Sequence, residues 1–232
     1  MNDVITIVSG LPRSGTSMMM KMLEAGGMDV AVDNIREADE DNPKGYYELE
    51  KVKDIKNDYS WLDNVQGKVV KMVSMLLYEL PSTRDYNIIF MQRDIGEILA
   101  SQRTMLQRKG NRSDINEEEM GKLFNRHLEE IENWLAGQKN MRVFYVNYKN
   151  VIEDPRNIAQ VINHFLNETL NIEKMVETVD RSLYRQRSAL MKASDVITGT
   201  KESKNPLESV ESVEKENDKE KIEAQLRALG YM

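Results

Sequence analysis

The chain has 232 residues, 40% of them hydrophobic, which is enough for one α/β domain with a sizeable core. With no cysteine and two histidines it can hold neither a disulfide framework nor a thiolate metal site, and little is left for a zinc centre. A formal net charge of -7 argues against a general nucleic-acid binder, so any anion site must be a local basic pocket. No apolar run is long enough to span a bilayer and no signal-type segment opens the chain, so a cytoplasmic protein is expected.

Residues 4–9, "VITIVS", form a β-branched run suited to a buried strand, and residues 16–25 follow as a helix stopped by Gly26 and Gly27. Between them, Gly10-Leu11-Pro12-Arg13-Ser14-Gly15-Thr16-Ser17 has the spacing of a Walker A loop. Thr16 stands where that loop carries lysine, and Ser17 where it carries the magnesium-binding hydroxyl. Such a turn leaves backbone N–H groups free at a helix N-terminus, where the helix dipole also favours an anion, so a phosphate or sulfate is the expected guest. Arg13 can supply the charge lost with the lysine, and its planar fork suits an oxyanion without requiring a metal. No metal site is expected.

Residues 28–32, 68–73, 87–91 and 142–148 are further strand candidates, separated by helical patterns. Helical spacing runs over residues 94–108 and 116–138, the latter aligning Met120, Leu123, Phe124, Leu128, Ile131 and Leu135 on one side. A further helix over residues 155–166 opens with Pro155 in the first helical position after Asp154. This alternation predicts an α/β fold, a P-loop-like parallel sheet flanked by helices, with ligands at the carboxyl ends of the strands. Beyond about residue 199 the chain is rich in Lys, Glu, Ser and Asn, with apolar residues returning only near the end. That composition predicts a main domain over residues 1–198 and, over 199–232, a charged linker with a short helical C-terminal appendage.

The segment "LPRSGTS" resembles the arginine-bearing branch of the sulfotransferase superfamily, whose 5′-phosphosulfate loop has the form P-[KR]-[ST]-G-[ST]-[ST] after the first strand. That resemblance implies 3′-phosphoadenosine 5′-phosphosulfate (PAPS) as donor co-substrate, held by Arg13, Ser14, Gly15, Thr16 and Ser17. It also implies an Arg at the end of a later strand and a Ser eight residues on, and "IIFMQRDIGEILASQ" supplies them as Arg93 and Ser101. The stretch "VFYVNYKNVIEDP" resembles the family's late strand ending in an adenine-contacting Tyr, which maps to Tyr148. Arg185 and Arg187 are candidates to close over the donor phosphates. Two departures stand out. Met18 occupies a position where many relatives stack Trp on adenine, and "KVVKMVSML" carries Lys71 but no His after it, so the base must come from elsewhere.

The acidic, turn-rich stretch over residues 33–54 follows the second strand candidate and should lie over the ligand-binding edge. Glu48 is the first candidate for general base, Glu37 the second, and His127, on the apolar-striped helix, the third. Tyr46, Tyr47 and Trp61 are candidates to border an acceptor pocket, and packing explains them equally well. The expected reaction is in-line attack of a small-molecule hydroxyl or amine on the donor sulfur, with Glu48 as base, Arg13 neutralising the leaving oxygen and Lys71 at the sulfuryl group. The alternatives are an atypical P-loop kinase acting on a nucleotide or small molecule, which would need magnesium-dependent ATP turnover, and a non-catalytic nucleotide-binding module.

Overall fold

The computed structural model describes residues 4–33, 35, 39, 45–110, 116–167, 170–181 and 208–232. The candidates Glu37, Arg185 and Arg187 lie outside the described residues. Four strands, β1 (Ile5–Gly10), β2 (Val69–Lys71), β3 (Tyr86–Gln92) and β4 (Met141–Asn147), form one parallel sheet in the order β2-β1-β3-β4. The helices are α1 (Thr16–Gly26), α2 (Ile95–Arg108), α3 (Glu117–Ala136), α4 (Tyr148–Glu153), α5 (Pro155–Leu166), α6 (Ile172–Glu177) and α7 (Glu208–Leu229). Short 3-10 turns occupy Glu50–Asp54, Ser60–Asn64 and Ser74–Glu79.

β1, β2 and β3 are buried on both faces, so they read as near-continuous apolar runs whose successive side chains enter two different cores, whereas edge strand β4 is partly exposed. Val8, Ile89 and Met91 pack with Met19, Met20, Met22 and Leu23 of α1 and with α5 and Met175 of α6. Ile5, Ile7, Ile88 and Phe90 pack on the other side with Ile98 of α2, Phe124 and Ile131 of α3, and Leu226 of α7. The methionine run of α1 is therefore core filler, its flexible thioethers suited to an irregular interface. Helix starts follow capping chemistry: Asp94 accepts from the Glu97 amide at 3.0 Å, Asn116 from that of Glu119 at 2.7 Å, and Asp154 from that of Asn157 at 3.2 Å.

Residues 28–32 are not a strand. They contribute a single parallel bridge, Val30 to Val69, in which the Val69 carbonyl accepts from the Ala31 amide at 2.9 Å. The run "MDVAV" has β character, but β2 is only three residues long and offers little edge for a fifth strand to extend along. Tyr148 is likewise not a strand residue: β4 ends at Asn147, whose side chain caps α4, and Tyr148 opens that helix. The terminal helix α7 has 22 residues, more than its apolar content suggests, and Ile222, Leu226, Leu229 and Tyr231 are buried in the β1–α2–α3 core.

From β1 the chain runs through α1 to β2 on one side, and from β3 through α2 and α3 to β4 on the other. The crevice between the carboxyl ends of β1 and β3 is therefore the topological switch point, where such sheets take ligands.

Candidate active site

Strand register brings the predicted donor residues to that crevice. Gly10 pairs with Met91, and Gln92 with Asn147, so the chain leaves β1, β3 and β4 at one level, carrying Arg13, Arg93 and Tyr148. Gly10 and Gly15 make the approach possible. A Cβ on Gly10 would stand 2.5 Å from the Met91 carbonyl, and one on Gly15 would stand 2.5 Å from the Tyr148 ring. Gly15 also takes φ 105 as the N-cap of α1, and no side chain caps that helix, which leaves its first amides to an anion.

Arg13 adopts φ 77, left-handed for a non-glycine residue, the kind of backbone strain that persists where surrounding contacts hold it. Three such contacts come from the β3–α2 junction and from α2 itself. Arg13 Nε donates to Ser101 Oγ at 3.0 Å, Arg93 Nη1 donates to the Arg13 carbonyl at 3.0 Å, and Gln102 Nε2 donates to the Pro12 carbonyl at 3.2 Å. With both carbonyls engaged, the strained peptides present no free acceptor to repel an anion. The amide of Ser14 closes a turn onto the Leu11 carbonyl at 3.1 Å, which narrows the amides left for a ligand to those from Gly15 to Ser17. Ser14 Oγ is buried and has no hydrogen-bond partner among the described residues, an orphan that a bound oxyanion would satisfy.

Arg93 is anchored on both sides. Its Nε pairs with Glu97 Oε2 at 2.9 Å, one helical turn on, and its guanidinium lies 4.4 Å from the Tyr148 ring centroid. Burial raises the Tyr148 phenol above its ordinary value, so the ring is a neutral face for the cation.

A second group sits at the end of β2. Lys71 Nζ lies 3.4 Å from Glu48 Oε1, both side chains being nearly buried, and also donates to the Tyr46 carbonyl. The same carbonyl accepts from Ser17 Oγ at 3.2 Å, tying the start of α1 to Lys71. Tyr47 takes φ 55 between them, and the Glu48 carbonyl accepts from the Asp33 amide at 3.2 Å. Glu48 is thus held in extended chain two residues before the Glu50–Asp54 turn rather than at a helix start. Tyr46 and Trp61 are buried in the core on the β1–α2–α3 side of the sheet.

His127 is not brought to either group. Its Nε2 is 2.8 Å from Ser74 Oγ, both residues are buried, and desolvation holds the imidazole down at about 4. His127 itself lines a cavity of about 290 Å³, together with Met75, Tyr78, Leu123 and Ile222 and with charged groups including Arg126 and Asp218. No cluster of three His, Asp or Glu side chains among the described residues is placed to hold a metal ion, and no helix among them is long and apolar enough to cross a membrane.

Sequence reasoning missed Glu97, Gln102 and the Tyr46 carbonyl. The four-residue spacing from Arg93 could have found Glu97. Position beside Ser101 is the only signal for Gln102, and a backbone carbonyl leaves none.

The profile of the family described as Sulfotransferase domain matches residues 3–225. Among solved structures, the sulfotransferase domain from the curacin biosynthetic pathway aligns with a TM-score of 0.50 at 14% identity, over 98% of each chain. The sulfotransferase domain from the Synechococcus PCC 7002 olefin synthase aligns with a TM-score of 0.52 at 15% identity, over 83% of this chain and 90% of its own. At these identities the likeness is one of fold. No curated protein matches the chain.

Proposed function

The chain belongs to the sulfotransferase domain family and is an enzyme of sulfuryl transfer; we propose that its donor is 3′-phosphoadenosine 5′-phosphosulfate and its acceptor a small-molecule hydroxyl or amine. The observation that carries this reading is the convergence of the uncapped start of α1 with Arg13, Arg93 and Ser101 at the switch point. An anion bound there meets backbone amides, a helix dipole and two guanidinium groups in a partly buried crevice, where charge-assisted bonds are strong.

In this reading the amides from Gly15 to Ser17 and the Ser14 hydroxyl hold the 5′-phosphosulfate. Arg13 neutralises charge on the leaving phosphate oxygen as the sulfur–oxygen bond breaks. Arg93 and Ser101 take the 3′-phosphate, and the Tyr148 ring borders the adenosine. Glu48 accepts the proton of the attacking hydroxyl or amine, and Lys71, held beside it, meets the sulfuryl oxygens. Alignment and electrostatic stabilisation supply most of the rate, as in phosphoryl transfer. A kinase would need the Walker lysine, and Thr16 opens α1 in its place.

Thermal shift provides the test, because a ligand bound only by the native state raises apparent stability. 3′,5′-adenosine bisphosphate should raise the melting temperature, and ATP with magnesium should not. The opposite pattern would replace this reading with the kinase.

A further inference from the structure

The C-terminal helix reaches both halves of the site. Gln225 Nε2 donates to Gln102 Oε1 at 3.1 Å, and Gln102 Nε2 donates to the Pro12 carbonyl at 3.2 Å. The polarity of this chain follows from chemistry. A carbonyl only accepts, so the amide nitrogen of Gln102 faces Pro12, its oxygen faces outward, and Gln225 must donate. Gln102 and Gln225 are both buried, where a broken link would strand polar atoms.

The last residues of the chain make the second connection. Past the end of α7 the Gly230 amide donates to the Arg227 carbonyl and the Tyr231 amide to the Leu226 carbonyl, each at 2.9 Å. With Gly230 at φ 87, these two bonds form a Schellman turn. The turn folds Tyr231 back into the core beside Leu226, where its ring centroid lies 5.6 Å from Lys71 Nζ. Lys109 Nζ, donating to the Leu229 carbonyl at 2.9 Å, ties the same turn to the end of α2.

We propose that the C-terminal segment is a positioning strut for catalysis: Gln225, acting through Gln102, holds the Pro12–Arg13 turn of the donor loop, and Tyr231 holds the Lys71 ammonium toward the acceptor side. The proposal rests on the reading of residues 10–17 as the donor loop. It predicts an asymmetric pair of defects. Loss of the Gln225 link loosens donor binding, whereas loss of the Tyr231 ring slows transfer from a donor bound normally. Coupling is reciprocal, so a ligand that orders the loop also favours the docked helix.

The test compares Gln225→Leu, Tyr231→Leu and Tyr231→Phe in the full chain, with 3′,5′-adenosine bisphosphate as the probe. Gln225→Leu should weaken the probe by about three- to tenfold, as expected for loss of one neutral hydrogen bond, and raise the donor KM with kcat nearly unchanged. Tyr231→Leu should lower kcat several-fold at unchanged probe affinity, and Tyr231→Phe, which keeps the ring, should restore it. In the wild type, hydrogen exchange over residues 222–231 should slow when the probe binds. If the wild type binds the probe but the variants melt earlier with probe affinity, KM and kcat unchanged, the segment is only core packing and the strut is wrong. If the wild type does not bind the probe at all, the donor reading itself fails and takes the strut with it.

Discussion

The two halves of the crevice each contain a cation paired with a carboxylate, but they are assembled differently. Arg93 and Glu97 are four residues apart on one strand-to-helix junction, Ser101 lies one turn further along the same helix, and Arg13 and Tyr148 follow the ends of adjacent paired strands. Lys71 and Glu48 are separated by 23 residues, and the acidic loop, closed on itself by the Asp33 to Glu48 backbone bond, reaches β2 where Lys71 meets the Tyr46 carbonyl and Glu48. The half proposed to hold the donor is thus a product of local geometry at parallel strand ends. The half proposed to face the acceptor depends on long-range closure, so it can vary in shape without disturbing the sheet. A common donor chemistry combined with a changeable acceptor is what that division allows.

If the halves are separable, substitutions should split binding from transfer. The largest effect is expected from Glu48→Gln, which removes the proposed base while preserving size: sulfuryl transfer should fall roughly 10²–10⁴-fold while affinity for 3′,5′-adenosine bisphosphate barely moves. Stopped-time transfer assays beside calorimetry make the comparison, and parallel losses in both would merge the two halves. Arg13→Ala should cost on the order of 10²-fold or more in rate in a protein that retains its native circular dichroism. Near-normal turnover by that folded variant would remove Arg13 from the mechanism.

Arg93→Ala should weaken 3′,5′-adenosine bisphosphate by roughly tenfold to a hundredfold, the range expected for a lost charge-assisted bond. Adenosine 5′-monophosphate, which lacks the 3′-phosphate, should bind the variant almost as it binds the wild type. Equal losses for the two nucleotides would show that Arg93 supports the loop through the Arg13 carbonyl and does not read the 3′-phosphate.

The smallest effect on turnover belongs to His127, which lies outside both halves. His127→Gln should leave the neutral-pH rate within about threefold of wild type, far short of the loss of a general base. Its signature is in stability instead. The imidazole titrates near 6.5 when unfolded and at about 4 when buried, so the unfolded chain binds the proton more tightly. The stability contributed by the neutral ring is complete above pH 6.5, is lost as pH falls toward 4, and changes no further below that. The loss amounts to about 3 kcal/mol. Denaturant melts between pH 7 and pH 4 should therefore show a shallower acid slope in the variant.

The sequence by itself determined the parallel α/β architecture, the strand–loop–helix that opens it and the level at which Arg93 leaves β3. These are encoded in short windows, where β-branched runs, capping residues and a Gly-spaced turn have the same consequence in any surroundings. It could not determine that residues 28–32 make only one bridge, since their β character is real and the shortness of β2 decides how far pairing extends. Nor could it reveal that Tyr231 would lie against Lys71, 160 positions earlier in the chain, or that Gln225 would reach the donor loop through Gln102. Those contacts have no local signature. They exist because Ile222, Leu226 and Leu229 of α7 are buried in one core, and burying that face carries the polar neighbour Gln225 to the site.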